Sequence, residues 1–151
     1  MATNQPVTRG RRGVRRTIRL AIAALGLALL FSACSPQQTQ LLTLTNRARA
    51  NAGVRGVSQN LALTIKAQGW AEHMARTGHL SHSNLASGVP YRYRLLGENV
   101  GYGSTVTGVF NNLMRSPGHR ANILNSRFNY IGLGVAYGHG HVWVVQVFMQ
   151  Y

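Results

Sequence analysis

The stretch that most constrains this chain is its C-terminal end, IGLGVAYGHGHVWVVQVFMQY (131–151). Ile131, Leu133, Val135 and Tyr137 alternate with Gly132, Gly134 and Ala136. That period of two belongs to a β-strand. GHGH (138–141) reads as a turn and VWVVQVFMQY (142–151) as a β-rich return strand, so the chain ends in a hairpin. One face of the first strand carries almost no side chain. A sheet face made of glycine and alanine must lie close under another element, and a helix is the expected cover.

Upstream the apolar spacing becomes helical. Leu41, Leu42, Leu44, Ala48 and Ala52 approximate one apolar face, which Gly53 can end. SQNLALTIKAQGWAEHMART (58–77) reads as a second helix. Ser58 or Asn60 can cap it, and Gly78 sits where a C-terminal glycine belongs. HLSHSNLASGVP (79–90) is a loop by composition, YRYRLLG (91–97) reads as a short turn of helix, and ENVGYG (98–103) as a short strand. A third helix fits TVTGVFNNLMR (105–115), capped by Ser104 or Thr105. In SPGHRANIL (116–124), Ser116 would be an N-cap, Pro117 the first helical residue and His119 the third. Helices first and a hairpin last indicate an α+β layer structure.

The chain carries 16 Lys+Arg against 2 Asp+Glu, a formal charge of +14. Such a balance would suit a nucleic-acid binder, but its distribution argues against that. Six Arg (9, 11, 12, 15, 16, 19) sit in the polar lead of residues 1–19, followed by the 12-residue apolar run LAIAALGLALLF (20–31). The run is short for a membrane-spanning helix and fits the core of a secretory signal. Ser32 and Ala33 precede Cys34, the only cysteine, and resemble a bacterial lipobox, with Phe31 where that motif usually has Leu. The expectation is a signal peptide over 1–34 with lipidation at Cys34, plain secretion being the alternative. SPQQTQ (35–40) reads as a polar tether to a domain over 41–151. A lone cysteine excludes an internal disulfide, so the domain must be held by its core.

The two acids are Glu72 and Glu98, and there is no Asp. A Ser-His-Asp triad is therefore excluded, and a paired-acid mechanism has no second candidate, because Glu72 reads as helix surface. Six histidines remain: 73, 79, 82, 119, 139 and 141. His73 reads as helix surface, and His139 and His141 as a solvated turn. At the third position of a helix His119 lies near free backbone N–H groups, which disfavour its protonated form. A neutral imidazole is what metal binding or general-base work needs. Two imidazoles and one carboxylate suit Zn²⁺ and leave positions open.

Five ordered blocks resemble the CAP superfamily, also called SCP domains. They are LLTLTNRARANAG (41–53), NLALTIKAQGWAEHMARTGHLSH (60–82), GENVGYG (97–103), LMRSPGHRANIL (113–124) and FNYIGLGVAYGHGHVWVVQVF (128–148). Leu113 replaces the Trp usual in bacterial members. The resemblance implies an α–β–α sandwich with a small central antiparallel sheet and an open cavity lined by histidines and acids. It assigns His82, not His79, to the first histidine place, Glu98 to the acid of the Gly-Glu-Asn signature and His119 to the second histidine place. The second acid of many eukaryotic members falls at Ser116. Gln146 is expected beside the cavity, and Asn99 on the opposite face of its strand.

The leading expectation is an exported, lipid-anchored protein of the cell envelope. It would bind a lipid, glycan or peptide at a cavity where His82 and His119 can hold a divalent metal such as zinc. Its basic surface would favour anionic lipids or acidic polymers, with no role for nucleic acid. The alternatives are a metal-assisted hydrolase of envelope peptide or ester bonds with Glu98 as general base, and a structural interaction module.

Overall fold

The computed structural model describes residues 35–151, and the expected signal segment, lipobox and Cys34 lie outside them. The elements run α1 (Pro36–Asn51), β1 (Ser58–Gln59), α2 (Leu61–Thr77), β2 (Leu95–Gly103), α3 (Val106–Arg115), α4 (Pro117–Ile123), β3 (Tyr130–Gly138) and β4 (His141–Gln150). The four strands form one sheet in the order β1-β3-β4-β2. The β3–β4 and β2–β4 pairs are antiparallel, and the two-residue β1 runs parallel to β3.

The hairpin forms where expected. His139 and Gly140 turn it with φ of 53° and 73°, the geometry of a tight two-residue reversal. The glycine face is covered by a helix. A Cβ on Gly132 would lie 2.1 Å from the Leu63 carbonyl carbon, and on Gly134 2.1 Å from the Ala67 carbonyl oxygen. Glycine therefore lets the α2 backbone sit directly on β3, and Ala67, Ala71 and Ala75 keep the helix side of the contact thin.

Two cores result. On one face α2 covers Val145, Val147, Met149 and Trp143. On the other, α1, α3 and α4 cover Val142, Val144, Phe148, Ile131 and Leu133. All core residues fall within 41–149, so Ser35–Tyr151 carries its own hydrophobic interior. Among the described residues, no helix is long and apolar enough to cross a membrane.

Helix ends follow their sequence signals. Asn60 caps α2 through the Leu63 N–H, Gly78 ends it with φ of 69°, and Thr105 caps α3 through the Gly108 N–H. Ser116 takes the N-cap place of α4 with no side-chain cap bond.

Two expectations are corrected. The stretch 35–40 is not a tether but the start of α1. Ser35 Oγ accepts from the Gln38 N–H at 3.2 Å and Gln38 Oε1 accepts from the Ser35 N–H at 3.0 Å. This reciprocal pair is a capping box. Residues 91–97 hold no helix. Arg94 N–H already donates to Gln150 O, and β2 begins at Leu95 opposite Gln150. Pairing with β4 overrides the local preference.

The edge of β3 beyond β1 is closed by side chains. Gln68 Oε1 accepts from the Val135 N–H at 2.9 Å, and its Nε2 donates to Val135 O at 3.0 Å. Gln38 Nε2 donates to Leu133 O and to Gln68 Oε1, each at 3.0 Å.

Candidate functional site

Even-numbered residues of β2 face α2, so Glu98 enters the layer between sheet and helix beside Val100. Its side chain is 3% exposed. Burying a carboxylate costs free energy unless donors replace water, and a loop supplies them. His82 Nδ1 donates to Oε1 at 2.8 Å, the Ser83 N–H to Oε1 at 2.9 Å and the Ser83 hydroxyl to Oε2 at 2.5 Å. His82 itself is 60% exposed along its side chain. Its Nδ1 is committed inward, which sets the tautomer and leaves Nε2 as the free ring nitrogen.

The loop is held from α2 as well. Trp70 Nε1 donates to Ser81 O at 2.8 Å, and its indole stacks on His73 at 4.7 Å between centroids. Lys66 Nζ donates to Asn84 O at 2.8 Å and Ser87 O at 2.9 Å. Burial lowers the Lys66 pKa, and the nearby Glu98 carboxylate offsets part of that. Residues 81–87 are thus fixed by Glu98, Trp70 and Lys66, and the last two were not expected at the site from sequence. Lys66 and Trp70 are one helical turn apart on α2, the spacing that puts side chains on one face.

His119 sits half-buried on α4. That helix is joined to β2 by Asn99 Nδ2 to His119 O at 3.1 Å and by Asn122 Nδ2 to Glu98 O at 3.2 Å. Burial, and then the neighbouring His82, hold the His119 pKa below the ordinary histidine value. The two imidazoles therefore sense each other. Ser116, in the place of a second acid, is half-buried at the start of α4.

Gln146 does not line this site. It is fully buried on the opposite face of the sheet. Its Oε1 accepts from Asn99 Nδ2 at 3.0 Å and its Nε2 donates to Thr45 Oγ1 at 2.9 Å. Its strand position groups it with Val144 and Phe148, which face α1 and α3. Asn99 shares that face, as expected, and accepts from Asn122 Nδ2 at 2.9 Å. Nearby, Arg49 is fully buried and donates to the carbonyls of Arg55, Ile123, Asn125 and Phe128.

Among the described residues, no three His, Cys, Asp or Glu side chains are grouped to hold a metal ion. Glu98 is engaged on both oxygens and is better placed to orient His82 than to ligate. A carboxylate behind an imidazole is the usual support for a metal-binding histidine. His82 Nε2 and a neutral His119 are a donor pair compatible with a divalent transition metal.

The arrangement is that of an α–β–α sandwich with a histidine–carboxylate pair on one face of its sheet. Residues 42–148 match the CAP: Cysteine-rich secretory protein family. The chain belongs to that family. It is 29% identical over 124 residues to the uncharacterized protein YkwD of Bacillus subtilis, covering 76% of this chain and 48% of that one. An extracellular SCP-domain protein of Bacillus anthracis is 25% identical with a TM-score of 0.65, covering 76% of this chain and 40% of that one. An outer surface protein of Borrelia burgdorferi has the same fold at 16% identity, with a TM-score of 0.70 over 77% of this chain and 93% of that one. The chain therefore spans about half the length of the curated relative it matches.

Proposed function

We propose that this chain is an exported CAP-domain protein, tethered to the cell envelope through Cys34, that binds a ligand at His82 and His119. The observation that carries this reading is the contrast within one pair: the Glu98 side chain is 3% exposed and the His82 side chain 60%. A buried carboxylate holds an imidazole at the surface with one nitrogen free. Export is supported by the Arg-rich lead, the apolar run and the lone Cys34, and by the extracellular relative in Bacillus anthracis. A zinc ion would be held by His82 Nε2 and an imidazole nitrogen of His119, and when bound would supply a positive centre for a ligand oxygen. Glu98 would fix the His82 ring, and Lys66 and Trp70 would hold the loop that bears it.

This placement weakens the case for Glu98 as a general base, because both its oxygens already accept hydrogen bonds. In a hydrolase that used this site without metal, the proton acceptor facing solvent would be His82, whose Nε2 cannot both bind a metal and accept a proton. Calorimetry of the untagged protein with Zn²⁺, beside His82→Ala and His119→Ala, tests the site. Each substitution should weaken binding by at least ~10-fold. Unchanged binding in both would reject the metal site. Peptide or ester turnover lost in His82→Ala would move the protein from binder to hydrolase. Palmitate incorporation that disappears in Cys34→Ser tests the anchor.

A further inference from the structure

The loop that bears His82 continues into Tyr91-Arg92-Tyr93-Arg94, a segment the His82 site does not use. Tyr91 is 37% exposed, Tyr93 40% and Tyr151 65%. Two of these rings, Tyr91 and Tyr151, are organised together with Tyr130. Tyr151 meets Tyr91 edge to face at 6.3 Å between centroids and Tyr130 edge to face at 6.5 Å. Tyr130 packs on the α2-side core. The chain end is held by the Tyr151 N–H donating to Asn129 Oδ1 at 3.0 Å and the Arg94 N–H donating to Gln150 O at 2.9 Å. The row is thus mounted on the ends of β2, β3 and β4.

Its charged side chains are of one sign. Arg92 and Arg94 are exposed within the segment, and Arg127 is exposed near Asn129. The chain has two acids, and both are engaged elsewhere: Glu98 under His82, and Glu72 on α2 with Gln68.

We propose that this tyrosine row, with Arg92 and Arg94, binds an anionic polysaccharide. A sugar ring presents a face of C–H bonds that lies flat on an aromatic ring, while its hydroxyls can pair with phenol groups at the ring edge. Guanidinium groups complement carboxylate or phosphate substituents, often with two parallel hydrogen bonds. A bilayer surface is matched less well: tyrosines suit the headgroup level, but insertion below it leans on Leu, Phe or Trp side chains. The exposed large apolar residues of this patch are all tyrosines.

The test is binding of purified Ser35–Tyr151 to polygalacturonate, to a phosphorylated mannan and to neutral dextran, with EDTA present throughout. An acidic polymer should bind, more weakly as salt rises, and dextran should not. Which of the two acidic polymers binds more tightly tells whether carboxylate or phosphate is the preferred substituent. Tyr151→Ala should weaken binding by about 10-fold, the loss of one stacking contact, and the pair Arg92→Ser/Arg94→Ser by at least about 10-fold, the loss of up to two charge-assisted contacts. Tyr151→Phe should retain most of it, and His82→Ala should leave it unchanged, which separates this surface from the metal site. An equal loss in Arg47→Ser, an exposed base on α1, would reduce the effect to net charge and overturn the proposal. So would equal binding to dextran, failure to bind either acidic polymer, or dependence on the same residues for phosphatidylglycerol vesicles but not for polysaccharide.

Discussion

Glu98 and Asn99 are adjacent in β2 and face opposite layers of the sandwich. Asn99 is fully buried and bonds Gln146, Asn122 and the backbone carbonyl of His119, and the first two are tied in turn to α1 and β2. Glu98 is buried almost as well, yet its partner His82 stands largely in solvent. The first network ends inside the protein and the second ends at its surface. Polar burial therefore serves two purposes here. A network whose donors and acceptors all close internally fixes the fold. One that terminates in an exposed imidazole transmits the rigidity of the core to a group that can meet a ligand.

The strongest test of the closed side is Arg49→Met. It strips the donor from four carbonyls at once and should cost roughly 4 kcal/mol, since each buried acceptor left unpaired costs about 1–3 kcal/mol and some recover water. Urea unfolding measures it, and a cost under ~1 kcal/mol would mean that α1 is not held by this side chain. On the α2 side the equivalent dependence is on close approach. Gly134→Ala places a methyl 2.1 Å from the Ala67 carbonyl oxygen and should cost about 3 kcal/mol by forcing helix and sheet apart.

The sharper contrast is between neighbours. Asn99→Ala should lower stability by roughly 2 kcal/mol and, because Asn99 also holds the His119 carbonyl, weaken any Zn²⁺ binding by less than a substitution at Glu98 does. Glu98→Gln should lower stability by a similar roughly 2 kcal/mol but weaken Zn²⁺ binding about 10- to 100-fold through the His82 ring. If both substitutions weakened Zn²⁺ binding equally, the two networks would be one.

The smallest effect is a pH dependence. The folded state holds the His119 pKa below its ordinary value of 6.5, chiefly through burial. The unfolded chain therefore binds the proton first as pH falls. This contribution to stability is present above about 6.5 and is lost as pH drops toward the lower folded value. His119→Gln should flatten the stability curve in that window. A slope unchanged by the substitution would assign the dependence to other groups.

The hairpin was legible in the sequence because a glycine–alanine face has few ways to be buried, and the caps because Asn60, Gly78 and Thr105 act locally. The start of α1 was misread: Ser35 and Gln38 form a capping box that the polar composition of 35–40 disguised as a tether. Residues 91–97 were not legible, because their conformation comes from pairing with β4 and not from local preference. Strand β1 is two residues long and exists only through β3. His82, Glu98 and His119 are scattered in sequence, and their partnership came from resemblance. The Lys66 and Trp70 contacts depend on where the loop folds back, which no local pattern encodes. Gln146 was assigned to the wrong side, although its parity with Val144 and Phe148 already placed it among residues facing the other layer.

Gln38 and Gln68 were described as closing the edge of β3. Together their amides satisfy Leu133 O and both polar groups of Val135, as a neighbouring strand would. An open strand edge is a template for pairing with a second chain. Here the template is capped from two helices, so this side of the sheet resists growth into a larger, shared one. The safeguard rests on two side chains, and Gln68→Ala should expose it as concentration-dependent self-association.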